Sequence, residues 1–218
     1  MKNAALSRAL KWLFVAQLLS IVALLPLVYD LKTLLRAAAG LLTLAALVKA
    51  AGAASGYRTA LGLHVVGLVL SALSYSFTRF FTSWIFGVAA AGWTGLDSSR
   101  AAILLMAMQR GSFFFSLAGL VLGLLVLRQV CLTTAGLVAD PNLAARGIWA
   151  WRINLICTVA GIVLTIGVSA LLKMGLDMEK LLGLSTAVTL LSAVIQLAGN
   201  AVYLHFLWQS ARCLSAPD

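Results

Sequence analysis

Six continuous apolar runs divide the chain, at about 12–29, 33–54, 58–77, 112–131, 153–172 and 181–207. None shows the apolar/polar alternation of a barrel strand, and at about 1.5 Å per residue each reaches most or all of the way across a hydrocarbon core of about 30 Å. A lipid-exposed segment must satisfy its own backbone, so these runs predict α-helices. The expected fold is an all-α integral membrane protein, a single polytopic domain over 1–218 with six transmembrane helices. Lys2, Arg8 and Lys11 before the first run give it the look of a signal peptide. No small-x-small cleavage site follows Pro26, so it is read as an uncleaved first span.

The runs carry a self-similarity. YRTALGLHVVGLVLS from Tyr57 and WRINLICTVAGIVLT from Trp151 share six of fifteen positions, among them Arg58/Arg152 and Gly67/Gly161. Upstream, AGLLTLAALVK (39–49) aligns with AGLVLGLLVLR (118–128), each ending in a cation. Each unit is then an inbound helix, a turn, an aromatic-Arg pair and an outbound helix. Spans two and three would repeat as spans four and five, in the same direction, which makes the repeat parallel. Span one, with Arg8 where Arg58 falls, and span six would form a third hairpin split between the termini.

Two insertions interrupt this scheme. The second turn is fifteen residues longer than the first and contains Asp140-Pro141-Asn142. Asp140 as N-cap and Pro141 at the first helical position predict a short separate helix, stopped at Gly147. The other insertion, about 80–110, holds Phe80, Phe81, Trp84, Phe86 and Trp93, then a helix start at Asp97-Ser98-Ser99. A straight helix over 99–131 would exceed about 45 Å, more than a bilayer core, so a break is expected at Gly111. The segment before it would be interfacial or re-entrant, its aromatics at headgroup level.

Composition sharpens the class. Hydrophobic residues make up 62% of the chain, charged ones 10%, and mean hydropathy is +1.04. None of the six acids lies inside a long apolar run, so the net charge of +10 reflects cations at span ends. These answer lipid headgroups and give no reason to expect nucleic acid. An even span count places both termini on one side, with nine cations there against seven opposite. The N-terminal cluster favours the cytoplasm for that side, and the plasma membrane is the expected location.

Several residues carry candidate chemistry. Arg8, Arg58 and Arg152 at equivalent helix mouths fit either topological anchors or a ring for an anion or lipid headgroup. His64 and His205 fall at one expected depth, on different spans. They fit either transverse hydrogen bonds or axial ligands of a metal or b-type haem. Otherwise no cofactor is expected. Gln196, Asn200 and Tyr203 share one face of the sixth span, where Gln17, Asn154 and Thr158 can meet them. Such a face is either interhelical glue or the polar lining of a pathway. Cys131, Cys157 and Cys213 sit near span ends on the termini side, as free thiols on a reducing side.

The chain contains no H-E-x-x-H, P-loop or G-x-S-x-G motif, and no carboxylate within a span. The expectation is therefore a non-enzymatic membrane protein. It would be a small transporter-like or channel-like module, or the membrane subunit of a larger complex, partnered by lipid, another subunit or its own copies. Two further readings stand beside it: a redox or enzymatic subunit using His64 and His205, and a scaffold docking through the aromatic outer segment.

Overall fold

The computed structural model describes residues 2–25, 28–90, 98–172 and 178–215. Six helices account for nearly all of them: α1 (Lys2–Val22), α2 (Tyr29–Ala50), α3 (Ser55–Ala90), α4 (Ser98–Leu137), α5 (Pro141–Leu172) and α6 (Met178–Cys213). Each is long and apolar enough to cross a membrane, and no strand occurs among the described residues. The protein is an all-α integral membrane protein. Trp93 and Asp97, with the rest of 91–97, lie outside the described residues, as do 173–177.

Local sequence explains the helix ends. α1 stops at Val22, ahead of Pro26, which lacks an amide proton and disfavours helical geometry in the residue before it. α2 carries Asp30 in its first turn and Lys49 in its last, the charge order that complements the helix dipole. α5 opens as its sequence predicts. Asp140 Oδ1 accepts the Asn142 amide proton at 2.9 Å, and Pro141 takes the first helical position.

Two expected interruptions are absent. α5 runs unbroken through Gly147, so the short separate helix is instead the first two turns of α5. α4 likewise runs through Gly111 for 40 residues. Both glycines are contact points and not breaks. A Cβ on Gly147 would lie 2.7 Å from Phe206 Cζ, and one on Gly111 would lie 2.9 Å from the Phe77 ring. At about 1.5 Å per residue a 40-residue helix spans about 60 Å, twice a hydrocarbon core. Such a helix need not break if the part outside the bilayer has partners of its own.

The chain divides into two compact units. The first comprises Met1–Leu61 with Leu127–Asp218, and the second Gly62–Val126. In the first, α1 packs against both α2 and α6, and α6 packs against α5. Its core gathers at the helix ends nearest the termini: Leu6, Leu10, Leu47, Tyr57, Val130, Leu143, Phe206 and Leu207 are all buried. Alanines at 9, 46, 50, 60, 150 and 211 are buried with them and permit close backbone approach. In the second unit, Phe77 packs against Phe81 and Phe115 with ring centroids 4.6 and 5.7 Å away, over the notch at Gly111.

Three cation–aromatic pairs lie in the first unit. Lys49 Nζ sits 3.5 Å from the Trp12 ring centre, Arg128 lies 5.6 Å from Trp151, and Arg212 lies 4.9 Å from Trp208. Indoles and long cations prefer the headgroup level, so these pairs mark where the apolar spans meet water. Beyond them α1, α4 and α5 each continue for about ten residues, and part of the packed core belongs to these projecting ends.

Candidate functional site: the polar face of helix α6

α6 lies between α1 and α5 in the first unit, so its polar residues are met from two sides. From α1, the Gln17 Nε2 amide donates to Asn200 Oδ1 at 2.9 Å. From α5, Asn154 Nδ2 donates to the Gly199 carbonyl at 2.7 Å, and Asn154 is buried. Gly199 makes this approach possible: a Cβ there would sit 3.3 Å from Cys157 Sγ and 3.5 Å from Asn154 Cγ. The result is a hydrogen-bonded layer across α1, α6 and α5, in which each of the three amides makes a bond to a neighbouring helix.

One to two turns toward the N-terminus of α6 the pattern changes. Ser192 Oγ is buried with no hydrogen-bond partner. Gln196, one turn from it, is exposed, and both side chains border Gly161 of α5. A Cβ on Gly161 would lie 3.4 Å from Ser192 Oγ and 3.5 Å from Gln196 Nε2. An unpaired hydroxyl beside an exposed amide is costly in hydrocarbon, where no water satisfies either group. The site thus has a hydrogen-bonded layer at Gln17, Asn200 and Asn154 and, beside Gly161, a notch where the Ser192 hydroxyl is unpaired and the Gln196 amide is exposed. Thr158 is half-buried on α5. Ser192 escaped the reading of the sequence, although it stands four residues before Gln196 and extends the 196/200 stripe by a turn.

Toward the termini, Tyr203 is buried. The Tyr57 hydroxyl bonds Thr134 Oγ1 at 2.7 Å, and Thr134 donates to the Val130 carbonyl at 2.7 Å. Gly56, beside Tyr57, faces Thr133 with no room for a Cβ. Tyr57 and Trp151, aligned in the sequence, therefore differ in role. Tyr57 is wholly buried and paired, whereas Trp151 is half-buried with its Nε1 unpaired.

The other candidates are placed as follows. Arg8, Arg58 and Arg152 are exposed, and each engages a neighbour on its own helix or turn: Arg8 the Ala4 carbonyl, Arg58 the Ala51 carbonyl, Arg152 the Trp149 ring. His64 is half-buried in the second unit, and His205 is exposed in the first. Cys131 is buried, Cys157 half-buried and Cys213 exposed, all as free thiols. Among the described residues, no group of three or more His, Cys, Asp and Glu side chains is placed to hold a metal ion.

A second feature lies at the termini end. Asp140, Asn142, Leu143 and Arg146 of the α5 start, with Gln209 and Arg212 of the α6 end, line an open cleft of about 570 Å³. Arg146 Nη1 donates to Gln209 Oε1 at 2.7 Å across it. Comparison with protein-family models, curated proteins and solved structures returns no match to this chain.

Proposed function

We propose that this chain is a small transporter-like or channel-like module, acting alone or as the membrane subunit of a larger complex, with α6 carrying its polar lane. The observation behind this reading is the contrast along α6. Gln17, Asn200 and Asn154 are paired with protein groups and serve as interhelical ties. Ser192, with an unpaired hydroxyl, and the exposed Gln196 are polar groups within the α6 span that keep capacity to spare, whereas the other unpaired α6 hydroxyl, Ser210, lies at the termini end of the helix. In hydrocarbon that capacity has value only when a polar solute, water or a second chain supplies the partner. The net charge of +10 favours anions as solutes, and the cation-rich ends of the spans would concentrate them. In this reading the protein sits in the plasma membrane with both termini cytoplasmic.

The test is chloride efflux from proteoliposomes read with a chloride electrode, followed by a parallel phosphate-release assay. Flux above protein-free vesicles is expected, reduced at least tenfold by Gln196→Leu and severalfold by Ser192→Ala. Absence of flux for both anions, or flux unchanged by both substitutions, would overturn the reading.

A further inference from the structure

The cleft between the start of α5 and the end of α6 has features that its membrane context makes specific. Its two guanidiniums are held in place by partners that leave their charge uncompensated. Arg146 is tied to the neutral amide of Gln209, and Arg212 lies 4.9 Å from the Trp208 ring. The one carboxylate in the lining, Asp140, caps α5 through the Asn142 amide proton. The cleft is therefore not a bare helix terminus, and it carries one more positive than negative side chain. The Asn142 side chain and the Gln209 Nε2 group add neutral donors.

Depth decides what such a cleft would meet. Arg212 is four residues beyond Trp208 on α6, and Arg146 is five residues before Trp151 on α5. At about 1.5 Å per residue their backbone positions lie about 6–8 Å to the aqueous side of the tryptophan positions. A headgroup layer is itself about 5–7 Å thick per leaflet, so the two arginines stand within the headgroup layer, where phosphates are in reach. Planar guanidiniums bind phosphate oxygens in forked geometry, and a preorganised pair loses little entropy on binding.

We propose that this cleft binds a phosphate group through Arg146 and Arg212, presented by an anionic phospholipid in the leaflet on the termini side. It is separate from the candidate positions Arg8, Arg58 and Arg152, and it stands whether or not α6 conducts a solute.

The experiment uses the full chain in detergent, with native mass spectrometry for retained lipid and thermal unfolding as the second readout. Phosphatidylglycerol, phosphatidylcholine and inorganic phosphate are the probes. Phosphatidylglycerol should be retained and raise Tm, with phosphatidylcholine at least tenfold weaker. Arg146→Gln with Arg212→Gln should lower phosphatidylglycerol retention at least tenfold, Arg146→Lys with Arg212→Lys should lower it less, and Arg58→Gln should leave it unchanged. A Tm shift from inorganic phosphate, lost in the double Gln variant, would support the phosphate chemistry and assign it to a free anion. Equal retention by the double Gln variant, or an equal loss from Arg58→Gln, would overturn the proposal.

Discussion

The Gln17 amide donates to Asn200 Oδ1 at 2.9 Å, joining the first and last helices across 183 residues of sequence. That bond, with the Ser7 hydroxyl on the Ala211 carbonyl at 2.7 Å, ties α1 to α6 at two levels. Because Gln17 and Asn200 share this one bond, deleting either side chain leaves the other without it. Gln17→Leu or Asn200→Leu alone should cost about 1 kcal/mol, since one half-buried amide loses its partner. The double variant should cost less than the sum, with a coupling of about 0.6 and at most about 1.7 kcal/mol. Reversible unfolding of all four proteins in mixed micelles measures this, and strict additivity would deny the bond.

Gly147 makes a stronger steric prediction. A methyl group there would lie 2.7 Å from the edge of Phe206 and 3.1 Å from the Ala135 Cβ, and Phe206 is itself buried with little room to move. Gly147→Ala should destabilise by about 1–3 kcal/mol through overpacking, despite alanine's better helix propensity. Phe206→Leu in the same chain should recover part of the loss. Gly136→Ala on α4, where nothing lies within 4 Å, should be neutral or mildly stabilising in the same thermal assay.

Tyr57→Phe isolates a single hydroxyl. The Tyr57–Thr134 bond is lost, but Thr134 keeps its bond to the Val130 carbonyl, so no group is stranded. The expected cost is about 1 kcal/mol. It should therefore fall at or below the cost of Asn200→Leu when both are unfolded under the same conditions.

The thiols report packing directly. Cys213 is exposed and should react quickly with a maleimide, whereas Cys131, wholly buried, should react only after unfolding. Half-buried Cys157 should fall between them. Timed labelling followed by peptide mass mapping gives the order; Cys131 reacting as fast as Cys213 would contradict the packed core.

The membrane class and the helix count could be read from the sequence because each span is a continuous apolar run. The meeting of Gln17 with Asn200 was also foreseeable, since an amide in hydrocarbon needs a partner and Asn200 shares a face with Gln196 and Tyr203. Gly111 and Gly147 misled because glycine has two uses that one sequence does not separate. It ends helices where the chain must turn, and it admits a neighbour where helices pack. The large rings of Phe77 and Phe206, distant in sequence, decide for the second use. Helix length misled for a related reason. A bilayer limits only the part of a helix inside it, and the projecting ends of α1, α4 and α5 continue because they share a core. The cleft at Arg146 and Arg212 was hidden by treating each cation as an anchor; its signal was the antiparallel pairing of spans five and six, which brings the start of one beside the end of the other.

The central structural claim is that the termini-side ends of the helices close into one packed body, with α1 against α6. Disulfide trapping between these helices tests it most directly. In a chain carrying Cys131→Ala, Cys157→Ala and Cys213→Ala, Ser7→Cys and Ala211→Cys should be oxidised to an intramolecular crosslink in intact membranes. Peptide mass spectrometry would then recover the two segments joined. Free thiols at both positions after oxidation, or crosslinks only between separate chains, would contradict the account.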